Sequence, residues 1–349
     1  ETSDVTFTFS EQVTGFELDG LTVVGGTVSN LTSSDGGKTW SATFTPDANF
    51  TGTASVTVKP ESYTDLAGNK GTGGSDSAAT DTQGPSVLVN IVDSQIIAGE
   101  TSPVTFTFSE QVTGFDLSDL DVVGGSVSNL TTADGGKTWS ATFTPDANFT
   151  GTASVTVKPE SYTDLAGNKG TGGSDSAATD TQGPSVLVNI VDSQIIAGET
   201  SPVTFTFSEQ VTGFELDDLT VVGGTVTGLT TTDGGKTWTG TFTPTPGFEG
   251  TASVTVKENS YTDLAGNKGT GGSDSADTDT QGPSVLVNIV DPQIIAGETS
   301  DVTFTFSEQV TGFELDGLTV VGGTVSNLTS SDGGKTWSAT FTPDANFTG

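Results

Sequence analysis

Side chains that carry oxygen ligands recur along this sequence at an interval of 99 residues. The chain has 44 Asp and Glu residues, but it has no Cys and no His. Calcium takes six to eight carboxylate, amide and carbonyl oxygens, whereas zinc and copper prefer the nitrogen of His and the sulfur of Cys. The residue types therefore favour a hard divalent cation. Calcium suits them better than magnesium, which demands a stricter octahedral geometry.

The same absences restrict the possible catalysis. Without His and Cys the chain cannot build a Ser-His-Asp triad, a Cys-His pair or a thiolate nucleophile. Paired carboxylates could serve a glycosidase. However, the acids return in every copy of the repeat, and no insertion is present that could form a pocket. We therefore expect that the protein is not an enzyme.

The charge balance excludes further classes of partner. The formal net charge is −34, with 10 basic residues against 44 acids. Phosphate binding needs clustered Lys and Arg, so we expect no nucleic-acid partner and no attraction to anionic membranes. No apolar run approaches the roughly 18–20 residues that cross a bilayer, so we expect no membrane span in this fragment.

The elements that must position these acids follow from the repeat itself. The four tryptophans, Trp40, Trp139, Trp238 and Trp337, are each 99 residues apart, and the first 52 residues return unchanged as the last 52. A repeat of this length can hold its own core, and the Thr-Asp-Thr-Gln-Gly-Pro stretch is a natural boundary. We expect a window onto a longer tandem array, in which residues outside the chain or a neighbouring molecule complete the end domains. The expected domains are an incomplete repeat at 1–83 without its first strand, complete repeats at 84–182 and 183–281, and a repeat at 282–349 without its last strands.

Each repeat has the alternation of β-strands. Val104, Phe106 and Phe108 alternate with polar residues, and the segments 139–144 and 153–158 alternate in the same way. A period of two indicates half-buried strands. About seven short strands in 100 residues, with turns every 8–12 residues, predict an immunoglobulin-like β-sandwich. The expected fold is thus all-β, with tandem sandwiches in an extended rod and the Trp of each repeat in its core.

Three motifs carry a family resemblance. They are Phe-Ser-Glu-Gln-Val-Thr-Gly-Phe at 108–115, Thr-Asp-Leu-Ala-Gly-Asn at 163–168 and the Thr-Asp-Thr-Gln-Gly-Pro junction. The chain resembles the bacterial Ig-like tandem repeats of large RTX adhesins. It is particularly similar to the calcium-dependent extender region of marine ice-binding and biofilm adhesins. This resemblance implies type I secretion, a place on the bacterial cell surface, a rod of many domains, and calcium at and near the linkers.

The sandwich topology also brings the acids together, since most of them lie at strand ends. The end of the second strand carries Glu110, and the loop between the last two strands carries Asp164 and Asn168. Both reach the pole at which the chain enters the domain, where the preceding repeat delivers Asp81. We predict a calcium site at this junction, with Asp116 and Asp119 close by. The equivalent candidate ligands are Asp180, Glu209, Asp263 and Asn267 at the second junction, Asp279 and Glu308 at the third, and Glu11, Asp65 and Asn69 in the first repeat.

A second candidate cluster lies in the loop at the far pole of the sandwich. It includes Asp93 and Glu100, with Asp192, Glu199 and Asp291 at equivalent places. The alternative for all of these acids is that they only keep the surface soluble, because acidic charge aids solubility without specific ligands.

The expected function is that of a structural extender. Sandwiches made rigid by calcium at their linkers would project an adhesive tip from the cell. The expected partners are the neighbouring repeats of the same chain, and no obligate oligomer is expected. The alternative is a module that itself binds a glycan or a surface. That alternative predicts loops that differ between repeats, whereas the loops here are nearly the same in every copy.

Overall fold

The structure, a computed structural model, describes residues 1–349. It divides into two compact units. The first unit comprises residues 1–183 together with 265–267, and the second comprises 184–264 and 268–349. Strands dominate both units, and the helices are four 3-10 turns of three residues each. None of these helices has the length and apolarity needed to cross a membrane.

The first repeat lies in the first unit and contains eight strands and a 3-10 turn at Leu18–Gly20. Its strands are β1 (Ser3–Thr8), β2 (Val13–Thr14), β3 (Leu21–Val24), β4 (Gly26–Ser33), β5 (Thr39–Pro46), β6 (Thr51–Val58), β7 (Thr64–Asp65) and β8 (Gly74–Asp81). One sheet has the order β1-β5-β4 and the other the order β3-β6-β8, and β2 pairs with β7.

The second repeat, also in the first unit, has ten strands and a 3-10 turn at Leu117–Asp119. Its strands are β9 (Val87–Ile91), β10 (Gln95–Ile97), β11 (Ser102–Phe108), β12 (Val112–Thr113), β13 (Leu120–Val123), β14 (Gly125–Thr132), β15 (Thr138–Pro145), β16 (Thr150–Val157), β17 (Thr163–Asp164) and β18 (Gly173–Asp180). The sheets have the orders β14-β15-β11-β9 and β10-β18-β16-β13, with β12 paired to β17. This is the predicted immunoglobulin-like sandwich.

The strand count exceeds seven partly because a further strand, β10, forms within the loop that the sequence predicts after β9, and it joins the other sheet. Strand β9 pairs antiparallel with β11, whereas β10 pairs parallel with β18. Between them the Ile91 N–H donates to Asp175 Oδ2 at 2.8 Å. A buried backbone N–H needs a partner, and here a carboxylate provides it. Asp175 lies within strand β18, whereas most of the acids lie at strand ends or in loops.

The core of the second repeat confirms the predicted alternation. Val104, Phe106 and Phe108 on β11 are at most 1% exposed. The ring of Phe115 makes edge-to-face contacts with Phe106 and Phe108, and also with Trp139 at 5.4 Å between centroids. Trp139 packs against this core, and its Nε1 donates to the Gly136 carbonyl. Apolar burial at alternate positions is what holds the two sheets together.

In the second unit, the third repeat has the same architecture. Its strands are β19 (Val186–Ile190), β20 (Gln194–Ile196), β21 (Ser201–Phe207), β22 (Val211–Thr212), β23 (Leu219–Val222), β24 (Gly224–Thr231), β25 (Thr237–Pro244), β26 (Glu249–Val256), β27 (Thr262–Asp263) and β28 (Gly272–Asp279), with a 3-10 turn at Leu216–Asp218. The sheets have the orders β19-β21-β25-β24 and β20-β28-β26-β23.

The fourth repeat, also in the second unit, forms a single four-stranded sheet. Its strands are β29 (Val285–Ile289), β30 (Ser300–Phe306), β31 (Gly323–Ser330) and β32 (Thr336–Pro343), with a 3-10 turn at Leu315–Gly317. The order β29-β30-β32-β31 matches one sheet of the complete repeats. Val287 on β29 is 53% exposed, whereas the equivalent Val188 of the third repeat is 4% exposed.

Candidate metal centre

The loop after β17 presents the most buried of the candidate ligands. Asp164 pairs with Val112 at the end of the short β12–β17 ladder, and it is 2% exposed. The chain then turns back through Gly167, whose φ of 94° suits glycine. The turn closes with the Asp164 N–H donating to the Asn168 carbonyl at 3.1 Å. The Thr-Asp-Leu-Ala-Gly-Asn motif thus builds a tight loop with its carboxylate turned inward.

Two further acids reach the same place from different elements of the first unit. Glu110 lies just after β11 and is partly buried. Asp81 is the last residue of β8 in the first repeat, where its Oδ1 accepts hydrogen bonds from Thr51 Oγ1 at 2.8 Å and from the Gln83 N–H at 3.2 Å. One carboxylate oxygen from each of Asp81, Glu110 and Asp164 lies within 4.8 Å of the others. Two consecutive repeats thus contribute to a single acidic triad.

The electrostatics of the triad are unfavourable for three free carboxylates. The pKa of Glu110 is raised, first by burial and then by the negative charges of Asp164 and Asp81; Lys137 opposes the shift. Burial and nearby like charge both disfavour an ionised carboxyl. A divalent cation among the three oxygens would reverse this, because each carboxylate would then face an opposite charge. The donor set contains oxygens and no nitrogen or sulfur ligand, so it fits calcium or magnesium rather than zinc.

Asn168 is the fourth residue predicted at this junction, and it has an unexpected orientation. Its Nδ2 donates to Asp164 Oδ2 at 2.8 Å and to the main-chain carbonyl of Asp81 at 3.1 Å. Its backbone N–H donates to Asp164 Oδ1 at 2.8 Å. The amide nitrogen therefore faces the acidic residues, whereas the sequence predicts an oxygen ligand.

The first repeat of the chain contains the same loop. Asn69 donates to both oxygens of Asp65, at 2.8 and 2.7 Å, as Asn168 does to Asp164. Asp65 is partly buried and Glu11 is exposed, and neither belongs to a group of three acids. Where the triad forms, the repeat before it supplies one of the three acids.

Among the candidates beyond the first junction, Glu209 and Asp263 of the second unit have carboxylate oxygens within 4.8 Å of each other, and Asp263 is 2% exposed. Asp180, at the end of the first unit, repeats the bonds of Asp81: it accepts from Thr150 Oγ1 and from the Gln182 N–H. Asn267 belongs to the first unit. Its Oδ1 accepts a hydrogen bond from the Ala98 N–H at 2.8 Å.

The predicted third junction offers fewer partners. Asp279 is exposed, and its Oδ1 accepts from the Gln281 N–H at 3.1 Å. Glu308 is partly buried. Neither residue belongs to a group of three acids.

The far-pole acids are engaged within their own loops. Asp93, Asp192 and Asp291 each accept a hydrogen bond from the backbone N–H two residues ahead, at 3.2, 3.1 and 2.9 Å. Glu100 and Glu199 each accept from the N–H three residues before them. No group of three acids forms here. These bonds are typical of side chains that shape a turn.

Asp116 and Asp119 likewise form a local structure. The Asp119 side chain accepts from the Asp116 N–H at 2.7 Å, and the Asp116 side chain accepts from the Ser118 N–H at 2.7 Å. Together they form the capping box of the 3-10 turn. The hydrogen bonds from Ser118 lower the pKa of Asp116.

Two acids, Asp175 and Asp134, have structural roles that the sequence did not predict. Asp175 accepts the Ile91 N–H between the sheets. Asp134 accepts from Thr132 Oγ1 and from the N–H groups of Lys137 and Thr138. The Thr138 N–H contributes most to lowering the pKa of Asp134 to about 2. An Asp-Gly-Gly-Lys sequence is typical of a hairpin turn, but it does not show how many hydrogen bonds the Asp accepts.

The comparison with protein families decides the family of the chain. A family model for the bacterial Ig-like domain matches it four times, over residues 1–80, 81–179, 180–278 and 279–349. The chain belongs to the bacterial Ig-like domain family. Tandem domains of this family point to a non-enzymatic structural protein, in agreement with the prediction from the sequence. No curated protein matches the sequence.

Several solved structures are similar to this chain at low identity and low TM-score. The adhesin FdeC of Escherichia coli is 17% identical, with 74% of this chain and 88% of that chain covered, at a TM-score of 0.30. The I9–I11 tandem of titin is 9% identical, with 74% and 91% covered, at 0.27. The adhesin InvE of Yersinia pseudotuberculosis is 15% identical, with 62% and 66% covered, at 0.23.

Proposed function

We propose that this bacterial Ig-like chain is an extender segment of a secreted cell-surface adhesin, and that calcium ties its neighbouring repeats together. The observation that carries the proposal is the meeting of Asp81, Glu110 and Asp164 from two consecutive repeats. Membership of the bacterial Ig-like family supports a role in adhesion outside the cell. The resemblance to RTX extender repeats supports type I secretion and the choice of calcium.

The link between the first two repeats is short enough for an ion to control it. The Thr82 N–H donates to the Phe50 carbonyl at 2.9 Å, and the Pro85 carbonyl accepts from the Thr171 N–H at 2.9 Å. Only Gln83 and Gly84 lie between these two anchored residues. Domains joined by small polar interfaces usually move relative to one another. A ligand set shared by both repeats would restrict that motion.

Each residue of the triad has a distinct part in this proposal. Bound calcium supplies the positive charge that offsets three carboxylates. Asp81 brings the end of the preceding repeat to the site, with its Oδ1 already held by Thr51 and Gln83. Asp164 is fixed by its loop, and Glu110 contributes the carboxylate with the raised pKa. Without an ion the three charges repel, and the junction is weakened.

The repeat extends the proposal along the chain. Residues 99 positions on from the triad are Asp180, Glu209 and Asp263, which we propose as a second site. Asp279 and Glu308 would begin a third, for which the chain has no equivalent of Asp164. We retain as proposed domain boundaries 1–83, 84–182, 183–281 and 282–349.

Calcium titration of the full chain tests the proposal. Isothermal titration calorimetry should give two sites, and small-angle scattering should give a narrower range of conformations in calcium than in chelator. Saturation at 100 times the dissociation constant stabilises the bound form by about 2.7 kcal/mol, so the melting temperature should rise.

A matched pair of variants makes this test specific. Asp81→Asn should remove one of the two sites. Asp279→Asn, at the same place in the repeat but outside any acidic triad, should remove none. The proposal fails if calcium changes neither the scattering nor the melting temperature of the unmodified chain.

A further inference from the structure

Asn168 directs every one of its hydrogen-bond donors at the junction. Its backbone N–H and its Nδ2 bind the two oxygens of Asp164, each at 2.8 Å. The same Nδ2 reaches the main-chain carbonyl of Asp81 at 3.1 Å. A single side chain therefore joins the carboxylate of one repeat to the backbone of the repeat before it.

The orientation of the amide follows from its neighbours. Reversing the group would place its oxygen against Asp164 Oδ2 and the Asp81 carbonyl, which are both acceptors. The equivalent Asn267 is 2% exposed, and its Oδ1 accepts from the Ala98 N–H at 2.8 Å. In Asn267 this oxygen takes a protein donor, and in Asn168 the Nδ2 faces both Asp164 and Asp81.

The first repeat shows the bonds within the loop apart from the bond between repeats. Asn69 makes the same bonds to Asp65, at 2.8 and 2.7 Å, and it makes no bond to a carbonyl of another repeat. Asp65 is only partly buried, whereas Asp164 is 2% exposed. The bond from Asn168 to Asp81 is therefore an addition to the loop, and it joins the two repeats.

We propose that Asn168 is a positioning residue that clamps the two repeats together in the absence of an ion, rather than a ligand of that ion. The clamp holds the Asp81 backbone beside Asp164, so that the acidic triad is already assembled. Pre-assembly of this kind strengthens binding by reducing the loss of conformational freedom. The effect on ion affinity rests on the proposed calcium site, but the clamp itself does not.

The absence of Cys from the chain allows two spin labels to be placed without background. Ser41 and Ser140 are exposed and occupy equivalent places on β5 and β15 of the first two repeats. Pulsed electron paramagnetic resonance on the full S41C/S140C chain, in chelator, would measure the distribution of distances between them. We expect Asn168→Ala to broaden this distribution at least twofold. Asn69→Ala, which removes only the bonds within the loop, should leave it unchanged.

Calcium affinity gives the second readout. Residues that orient metal ligands typically cost about 10- to 100-fold in affinity when they are removed, so Asn168→Ala should weaken one site by this factor. A ligand role predicts a different pattern, in which Asn168→Ala changes affinity but leaves the distance distribution in chelator as it was. That pattern would overturn the inference.

Two further outcomes are decisive. If Asn168→Ala and Asn69→Ala each unfold the repeat that carries them, measured by circular dichroism, the residue serves the fold of its own repeat and the inference is overturned. If the unmodified chain binds no calcium but Asn168→Ala still broadens the distances in chelator, the proposed function fails and the clamp stands.

Discussion

Replacing Glu110 with Gln should have opposite effects on stability with and without calcium. The substitution removes one of three charges whose oxygens lie within 4.8 Å of one another. At that distance two unit charges repel by about 0.9 kcal/mol in water and about 3.5 kcal/mol at an effective dielectric constant of about 20. The substitution removes two such repulsions, with Asp81 and with Asp164, and because Glu110 is only partly buried, solvent screening favours the lower part of the range for each pair. We expect the second repeat to gain about 1–3 kcal/mol in chelator and to lose stability in saturating calcium.

Hydrogen exchange can measure this effect in the second repeat alone. The segment 110–122 contains Phe-Asp-Leu-Ser-Asp-Leu, which occurs once in the chain, so its peptides are unambiguous by mass. In chelator, Glu110→Gln should slow their exchange by about 5- to 150-fold, since 1.36 kcal/mol corresponds to a factor of ten. Glu308→Gln, outside any acidic triad, should change neither this exchange nor the calcium isotherm.

The pH dependence provides an internal check on the Glu110 substitution. The folded-state pKa of Glu110 is raised, so the folded state binds this proton more tightly than the unfolded state. The destabilisation from its charge is therefore present at neutral pH and disappears as the pH falls through the raised pKa. The gain from Glu110→Gln in chelator should shrink over the same interval. A substitution that destabilises equally with and without calcium, at every pH, would refute the repulsion argument.

Three further predictions follow from other contacts. A Cβ at Gly84 would collide with the main-chain carbonyl of Lys169, whereas a Cβ at Gly282 would have nothing within 4 Å. Gly84→Ala should therefore lower the free energy of unfolding by about 1–3 kcal/mol, and Gly282→Ala should have little effect, as measured by calorimetry. The Tyr162 hydroxyl donates to the Thr171 carbonyl at 2.7 Å and also lies 3.3 Å from the Pro85 carbonyl, whereas the Tyr63 hydroxyl donates to the Thr72 carbonyl alone. Tyr162→Phe should therefore cost about 1–2 kcal/mol and Tyr63→Phe less. The folded-state pKa of Asp134 is lowered to about 2, so the stabilisation from its charged form is present above about pH 4 and is lost as the pH falls toward 2. Asp134→Asn should therefore lower the melting temperature at pH 7 more than at pH 2. An equal loss at both pH values would contradict this.

Much of the fold could be predicted because it follows from alternation. Val104, Phe106 and Phe108 alternate in sequence, and all three are buried on one face of β11. The meeting of Glu110 and Asp164 was also predictable, since antiparallel strands in a sandwich end at known poles. Asp81 could be added because the preceding strand must finish where the next repeat begins.

The finer roles of individual acids and amides could not be predicted in this way. Asp175 accepts a hydrogen bond from the Ile91 N–H, 84 residues before it. This pairing depends on how β9 of one sheet lies against β18 of the other. The orientation of the Asn168 amide depends on two acceptors in different repeats. Asp116 and Asp119 cap a three-residue turn, which has no periodic signal. Such roles depend on distances between atoms rather than on residue type and spacing.

The most direct test of the calcium proposal is a crystal structure of the chain grown with calcium, with anomalous scattering used to locate the ion. The account predicts a peak at the first junction, with carboxylate oxygens of Asp81, Glu110 and Asp164 at about 2.3–2.6 Å. A structure at millimolar calcium with no anomalous peak among these three residues would contradict it.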